Sequence, residues 1–275
     1  MSYHTPQRIA ELSIEIGFRK AKMSISSMLI LGFLAGAFIS MGFLLYIRLT
    51  GGMPVEWGAF NTFIGAAVFP LGIVLVLLAG GELLTGNMTT LPMAWFAKKI
   101  TFTGILRNWT IVLISNFLGA IFVAYFFGHV VGLTETGPYL DKTVAVAQAK
   151  LNDTFIQAFI SAIGCNWLVA LAIWIATGSQ DAVGKIVGVW FPIMAFVVIG
   201  FQHVVANMFI IPAAIFAGEV TWIEYLPNFV AVFLGNAVGG SVFVGLAYFI
   251  AYKPNVYGQL LVTKQQQPEK KVVNL

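Results

Sequence analysis

The chain has 275 residues, of which 59% are hydrophobic and 9% charged, and its formal net charge is +4 at pH 7. Soluble domains carry about 25% charged residues, so this composition excludes a compact water-soluble monomer and predicts an integral membrane protein. Such sparse charge also excludes nucleic acid as a partner, because its binders need dense Lys and Arg. The single cysteine, Cys165, cannot form an intrachain disulfide, and no Cys and His cluster has metal-ligand spacing. We therefore expect no cofactor and no metal site.

The chain opens with a polar segment, residues 1–27, that carries an amphipathic pattern. Ile9, Leu12 and Ile16 recur at helical spacing, and Thr5 offers a cap with Pro6 at the first helical position. The segment is too polar, and the apolar run after it too long, for a cleavable signal peptide. We therefore predict a cytoplasmic amphipathic helix at the membrane surface that leads into the first span.

Six apolar regions are long enough to cross a bilayer, since a helix needs about 20 apolar residues to span about 30 Å of hydrocarbon. They cover residues 28–47, 60–96, 109–131, 155–177, 186–216 and 228–252. The second and fifth regions are too long for one straight helix, and Gly, polar residues or Pro interrupt each of them. We predict an all-α protein whose residues 28–252 form six transmembrane helices, two of them broken. Residues 253–275 lack apolar periodicity, which predicts a disordered cytoplasmic tail.

The basic residues are distributed unevenly between the two sides that six crossings define. Of the 15 Lys and Arg residues, only Arg48, Lys142 and Lys150 fall on the side opposite the termini. Cytoplasmic loops carry the excess of Lys and Arg, so both termini are predicted to be cytoplasmic in a multi-pass protein of the cell membrane.

An internal repeat relates the two halves of the chain at an offset of 120 residues. The matched pairs are Asn87 and Asn207, Met88 and Met208, Pro92 and Pro212, Asn108 and Asn228, Asn116 and Asn236, and Gly119 and Gly239. The repeats cover about residues 28–131 and 155–252. Three spans per half force the halves into opposite orientations, which is the inverted repeat of many transporters and channels. A substrate path between two broken helices is the expected consequence.

The two breaks lie at residues 79–86 and 202–206, so the half-helices are predicted to begin within two residues of Gly86 and Ala206. Their N-termini, near Asn87 and Asn207, could attract an anion through the helix dipole, or exclude cations from a pore for neutral solutes. His203 is the only histidine in the middle of a span, and an ionisable residue at that depth indicates a functional site. The alternative is a neutral ring hydrogen-bonded between helices.

Other polar residues near the breaks have two interpretations each. Thr85 can bind His203 or the substrate, or it can cap a helix. Glu82 is expected to hold its loop by accepting backbone N–H bonds, because a carboxylate in the path would repel an anion. For Asn166 and Asn236, interhelical hydrogen bonding is favoured over substrate contact. Six apolar residues are candidates for narrow constrictions or for ordinary core: Phe69, Ile73, Leu83, Leu84, Val169 and Phe196.

Both breaks resemble the formate/nitrite transporter family. Residues 200–212 read GFQHVVANMFIIP, which resembles the family signature of Glu-His followed by Ala-Asn-Met-Phe and Pro. Residues 81–87, GELLTGN, resemble the family's loop with an acidic residue and a Thr. Residues 166–169 and 235–239 fit its fourth and sixth helices, and Lys150 before Thr154 fits its outer lysine. The resemblance runs from about residue 16 to residue 252.

This resemblance implies an aquaporin-like fold that assembles in the lipid bilayer as a homopentamer, with one pore per protomer for small monovalent anions. His203 would be the central pore histidine, Thr85 its partner and Lys150 the residue that draws anions inward. Asn166 and Asn236 would be polar pore residues, and the six apolar candidates would form the constrictions. Glu82 and Gln202 would support the loops. Gln202 stands where the family usually has Glu, so the family's pH response does not carry over.

These observations leave several functions open, of which formate transport with proton coupling through His203 comes first. The same pore could instead carry nitrite or hydrosulfide. A water pore would let vesicles swell osmotically without dependence on anions. The Asn-Pro-Ala boxes expected in such a pore do not occur in the sequence. A scaffold subunit would give no flux. An enzyme is not expected, because no nucleophile or nucleotide motif accompanies the histidine.

Overall fold

In the computed structural model, which describes residues 3–252, eleven α-helices follow one another along the chain. They are α1 Pro6–Ala21, α2 Ile25–Thr50, α3 Ala59–Val68, α4 Leu71–Leu75, α5 Leu84–Phe96, α6 Phe102–Phe122, α7 Pro138–Leu151, α8 Phe155–Gly178, α9 Ala182–Ile199, α10 Val204–Phe216 and α11 Trp222–Val238. Three π-helical segments, Val76–Gly80, Val123–Val130 and Gly239–Leu246, extend α4, α6 and α11. The only β pairing within residues 3–252 is an isolated bridge between Tyr3 and Ser179.

Six helical stretches are long and apolar enough to cross a membrane, which confirms the predicted six-span, all-α fold. They are Ile25–Thr50, Ala59–Gly80, Phe102–Val130, Phe155–Gly178, Ala182–Ile199 and Trp222–Tyr252. The predicted tail, residues 253–275, lies outside the described residues.

The N-terminal helix begins where the sequence predicts. The Thr5 hydroxyl accepts a hydrogen bond from the amide of Arg8 at 3.4 Å, and Pro6 occupies the first turn of α1. Ile9, Ala10 and Ile14 are buried, and α1 packs on α5 and α8. The apolar face of this amphipathic helix therefore contacts protein.

Two helix breaks interrupt the second and fifth apolar regions, as predicted. The half-helices α5 and α10 begin at Leu84 and Val204, each two residues before the predicted Gly86 and Ala206. Each half-helix has 13 residues, and nearly all of them are buried. Non-helical backbone at membrane depth needs protein or water to satisfy it, and these breaks lie inside the protein.

Helix α7 was not predicted from the sequence. It corresponds to α1 at an offset of 130 residues, so Lys150 in the second half is equivalent to Lys20 in the first half. The amide of Asn108 donates to the Lys20 carbonyl at 3.3 Å, and the amide of Asn228 donates to the Lys150 carbonyl at 2.8 Å. These matching bonds indicate that α1 and α7 correspond to each other, while the repeat bounds at about residues 28–131 and 155–252 stay a prediction.

Glycines allow the long helices to pack closely in both halves. A Cβ at Gly36 of α2 would overlap the backbone of Asn116 in α6. A Cβ at Gly239 would overlap the backbone of Ile163 in α8. A glycine thus allows α2 to pack closely on α6 in the first half, and another allows the extension of α11 to pack closely on α8 in the second half.

Candidate functional site

One asparagine holds the first break in place. Asn116 of α6 accepts a hydrogen bond from the Leu84 amide at 3.0 Å, which satisfies the first N–H of α5. Its own amide nitrogen donates to the carbonyls of Gly32 and Glu82, both at 2.8 Å. The Asn116 side chain is fully buried, so it binds the two backbone groups at the break that would otherwise lack partners, the Leu84 amide and the Glu82 carbonyl, and ties them to α2 through Gly32.

Asn236 of α11 does the same at the second break. Its Oδ1 accepts from the Val204 amide at 2.8 Å, and its amide nitrogen donates to Ala162 at 2.8 Å and Gln202 at 3.0 Å. The first N–H of each half-helix is therefore already bound by an asparagine. The amides of Asn87 and Asn207 donate to the carbonyls of residues 83 and 203. The backbone amides of Asn87 and Asn207 are therefore not open to an anion, and the attraction of an anion by the two helix N-termini stays a prediction.

A second matched pair of asparagines lies one turn into the half-helices. Asn87 donates to Glu82 at 2.9 Å and to Asn108 at 2.8 Å. At the second break, Asn207 donates to Gln202 at 2.7 Å and to Asn228 at 3.0 Å. The repeat in sequence is thus a repeat of hydrogen bonds.

The prediction that Glu82 accepts hydrogen bonds from backbone N–H groups is wrong. Its carboxylate binds side chains: Lys20 Nζ at 2.7 Å and the Asn87 amide at 2.9 Å. Lys20 Nζ also donates to Asn87 Oδ1 at 2.9 Å. Burial of a carboxylate requires an opposite charge, and Lys20 supplies it from α1, 62 positions earlier. Lys20 could have been found in the sequence as the equivalent of Lys150. The two lysines are 130 residues apart, however, and the repeat was detected at an offset of 120 residues.

Gln202 accepts from an asparagine like its equivalent Glu82, but its other partners differ. Its amide nitrogen donates to Asp153 Oδ2 at 2.7 Å and to the Lys150 carbonyl at 3.0 Å. Lys150 Nζ donates to the carbonyls of Gly200 at 2.8 Å and Phe201 at 2.9 Å. Burial lowers the pKa of the Lys150 ammonium from its usual value. The carboxylate of this half is therefore Asp153, a residue that the sequence analysis did not assign.

His203 caps α10 and contacts the first break. Its Nδ1 accepts from the Ala206 amide at 3.1 Å, and its Nε2 lies 3.0 Å from Thr85 Oγ1. A ring nitrogen that accepts from an amide carries no proton, so the ring is neutral, has its hydrogen on Nε2 and donates it to Thr85. The structure therefore brings His203 and Thr85 together, as the resemblance implies.

A cavity of about 360 Å³ leads to His203 from the side of α7, and we name it the Lys150 cavity. Its walls include Lys142, Lys150, Asp153, Asn207, Phe69 and Phe196. The rings of Phe69 and Phe196 meet edge to face at 5.7 Å, and Phe196 stacks on His203 at 5.6 Å. Two of the six predicted constriction residues thus stand where the cavity meets the histidine.

Four predicted constriction residues lie outside the cavity wall. Ile73, Leu83, Leu84 and Val169 are buried in the same apolar cluster as Phe69 and Phe196, but they do not line the Lys150 cavity. Their part in a constriction stays a prediction.

Asn166 links the two halves near the centre. Its amide nitrogen donates to the Asn236 carbonyl at 2.7 Å and to the Thr85 carbonyl at 3.3 Å. Its Oδ1 is buried and has no hydrogen-bond partner within residues 3–252. Asn166 and Asn236 thus make interhelical bonds, while substrate contact stays a prediction for both.

Comparison with known proteins identifies the family. The family model described as formate/nitrite transporter matches residues 7–250. The chain belongs to the formate/nitrite transporter family. It is 62% identical to the uncharacterized transporter YrhG of Bacillus subtilis over 252 residues, which are 92% of this chain and 95% of that protein. It is 60% identical to the formate channel BtFdhC of Bacillus thuringiensis over 253 residues, 92% of this chain and 97% of that one.

A solved structure agrees with this family. The pentameric formate channel with formate bound superposes with a TM-score of 0.72 at 30% identity, covering 83% of this chain and 98% of that one. A member of the formate/nitrite transporter family is a multi-pass membrane channel or transporter and not an enzyme.

Proposed function

We propose that this protein carries formate across the cell membrane together with a proton, through one path in each protomer of a homopentamer. The similarity to a formate channel and to a pentameric formate channel supports the substrate and the assembly. The excess of Lys and Arg on the side of the termini supports a cytoplasmic location for both termini. In that orientation, the Lys150 cavity opens to the outside.

The observation that carries this proposal is the neutral His203 ring beneath two phenylalanines. The ring is 3% exposed, stacks on Phe196 and donates its hydrogen to Thr85. A bare carboxylate between Phe69 and Phe196 would lose its hydration and meet no positive charge, which is costly. Formic acid, formed in the cavity from formate and a proton, avoids this cost. His203 then serves the neutral acid as a hydrogen-bond partner at the narrowest point.

The proposal is tested by uptake into proteoliposomes of the full chain. Initial rates for formate, nitrite and hydrosulfide are measured from pH 5 to pH 8. We expect formate uptake that rises as the pH falls, because protonation limits the supply of the neutral acid. Nitrite or hydrosulfide uptake well above formate uptake would reassign the substrate. Fast osmotic swelling without anion uptake would instead indicate a water pore, and the absence of all flux a scaffold.

Substituting Lys150 by Ala is expected to lower formate uptake most at low substrate and low salt. The side chain is a cation in the cavity, and steering decays over a Debye length of about 8 Å at physiological ionic strength. We expect a loss of about tenfold, equivalent to about 1.4 kcal/mol of anion attraction. Lys150→Arg keeps the charge and serves as the control. Uptake equal to the wild type at every salt concentration would exclude Lys150 from the mechanism.

A further inference from the structure

A second lysine lies in the Lys150 cavity, nearer to the ends of α2 and α3. Lys142 and Lys150 both line the cavity from α7, eight residues apart, which corresponds to about 12 Å along the helix. Lys142 Nζ donates to Asn61 Oδ1 at 3.3 Å and lies 5.4 Å from the centre of the Tyr46 ring. Asn61 in turn donates to the carbonyl of Thr50, at the end of α2.

The two lysines differ in how many hydrogen-bond donors they leave for a ligand. Lys150 Nζ makes two strong bonds to backbone carbonyls, at 2.8 and 2.9 Å. Lys142 Nζ makes one long bond, to Asn61, within the part of the chain that the structure describes. An ammonium has three donors, so two remain on Lys142. Its partial burial lowers its pKa and removes water from the ammonium, and an anion would replace that water.

The charges of the cavity wall show why this lysine matters. The charged side chains that line the cavity are Lys142, Lys150 and Asp153, while His203 is neutral by its hydrogen bonds. The charges of Lys150 and Asp153 cancel formally. Lys142 therefore supplies the net positive charge of the cavity.

The fold does not require a lysine at this position. The 130-residue offset that relates Lys20 to Lys150 relates Leu12 of α1 to Lys142 of α7. Leu12 lines a cavity of about 240 Å³ beside α1, so the same helix face carries an apolar residue there. The packing of this helix face therefore does not depend on a charged side chain at residue 142.

We propose that Lys142 forms a second anion-binding position, at the mouth of the Lys150 cavity, that holds a small monovalent carboxylate before it reaches Lys150. The position rests on the proposed formate transport for its ligand. Two donors of Lys142 bind the carboxylate oxygens, while Asn61 and the Tyr46 ring hold the ammonium in place. The anion then moves about 12 Å along α7 toward Lys150.

Binding and flux are measured separately to test this position. Binding of ¹³C-labelled formate to the purified full chain is followed by NMR at low and high salt, for the wild type, Lys142→Met and Lys142→Arg. Uptake of formate into cells that lack their own formate transport is measured on the same variants. Lys99→Met is the matched control, because it removes an exposed lysine that does not line the cavity.

We expect Lys142→Met to weaken formate binding and raise KM about two- to fivefold at low salt, with an unchanged maximal rate. Both effects should shrink at 1 M salt, where the Debye length falls to about 3 Å. Lys142→Arg and Lys99→Met should match the wild type. Formate binding that is unaffected by Lys142→Met, or absent from the wild type, would overturn the position whatever the flux. Lys142-dependent binding without any flux would support the position and overturn the proposed transport.

Discussion

Replacing His203 with Phe is expected to lower formate flux about two- to tenfold, while the dependence of the flux on pH persists because it comes from the supply of formic acid. The substitution keeps an aromatic ring against Phe196 but removes the donor that contacts Thr85. One hydrogen bond to a passing solute corresponds to about 0.5–1.5 kcal/mol, which converts to about two- to tenfold in rate. The measurement is formate flux against pH in proteoliposomes that contain equal amounts of wild type or variant.

The structure adds a cost to this substitution that must be controlled. His203 also accepts the Ala206 amide, and loss of such a cap costs about 1 kcal/mol. His203→Asn keeps a side-chain acceptor at the cap without the ring. We expect this variant to assemble like the wild type. A change in its formate flux would then come from loss of the imidazole ring and not from loss of the cap. A Phe variant that loses its pH response, even one whose flux rises as a leak, would instead assign control of the proton to His203. Superimposable curves for wild type and His203→Phe would show that the ring only packs.

Replacing Asn236 with Leu is expected to prevent stable folding. The substitution leaves the buried Val204 amide and Gln202 carbonyl without their partner, while the Ala162 carbonyl keeps its helical bond within α8. Each unpaired group costs about 1–3 kcal/mol, so the two together remove a large part of the 5–15 kcal/mol stability of a typical protein. The expected result is loss of the monodisperse peak in detergent, or a fall in melting temperature of more than about 10 °C.

The repeat supplies an internal comparison for this test. Asn116→Leu removes the equivalent three bonds at the first break and should have an effect of similar size. Asn152→Leu changes an exposed asparagine at the end of α7 and should leave the melting temperature nearly unchanged. An Asn236→Leu protein that melts with the wild type would refute the structural role of this residue.

Sequence reasoning found the spans, the breaks and the repeat because each has a one-dimensional signature. Apolar length predicts the six crossings, and the paired motifs at Asn87 and Asn207 mark the half-helices. The same pairing singled out Asn116 and Asn236, but their partners are backbone groups on other helices. No spacing along the chain indicates which carbonyls approach an asparagine, so their role in holding the breaks emerged only from the structure.

The errors have equally physical causes. Helix α7 has 14 residues and mixed polarity, so it lacks the long apolar run that reveals a span. Helices α1 and α7 correspond at an offset of 130 residues, whereas the matched motifs from Asn87 onward correspond at an offset of 120 residues. This difference hid the equivalence of Lys20 and Lys150. Glu82 was expected to bind backbone amides because its partner, Lys20, lies 62 positions away on a helix assigned to the membrane surface. Long-range ion pairs leave no periodicity in a sequence.

The two inverted halves are an internal duplication whose members have diverged at the positions that face the centre. At the residue before each half-helix, one copy has Leu83, which makes no side-chain cap, and the other has His203, which caps α10. Both residues are therefore compatible with the same backbone break. The first copy places an aliphatic side chain at this position, and the second places a single imidazole there. Divergence of the duplicated halves, rather than their symmetry, thus limits this central position to one titratable ring per protomer.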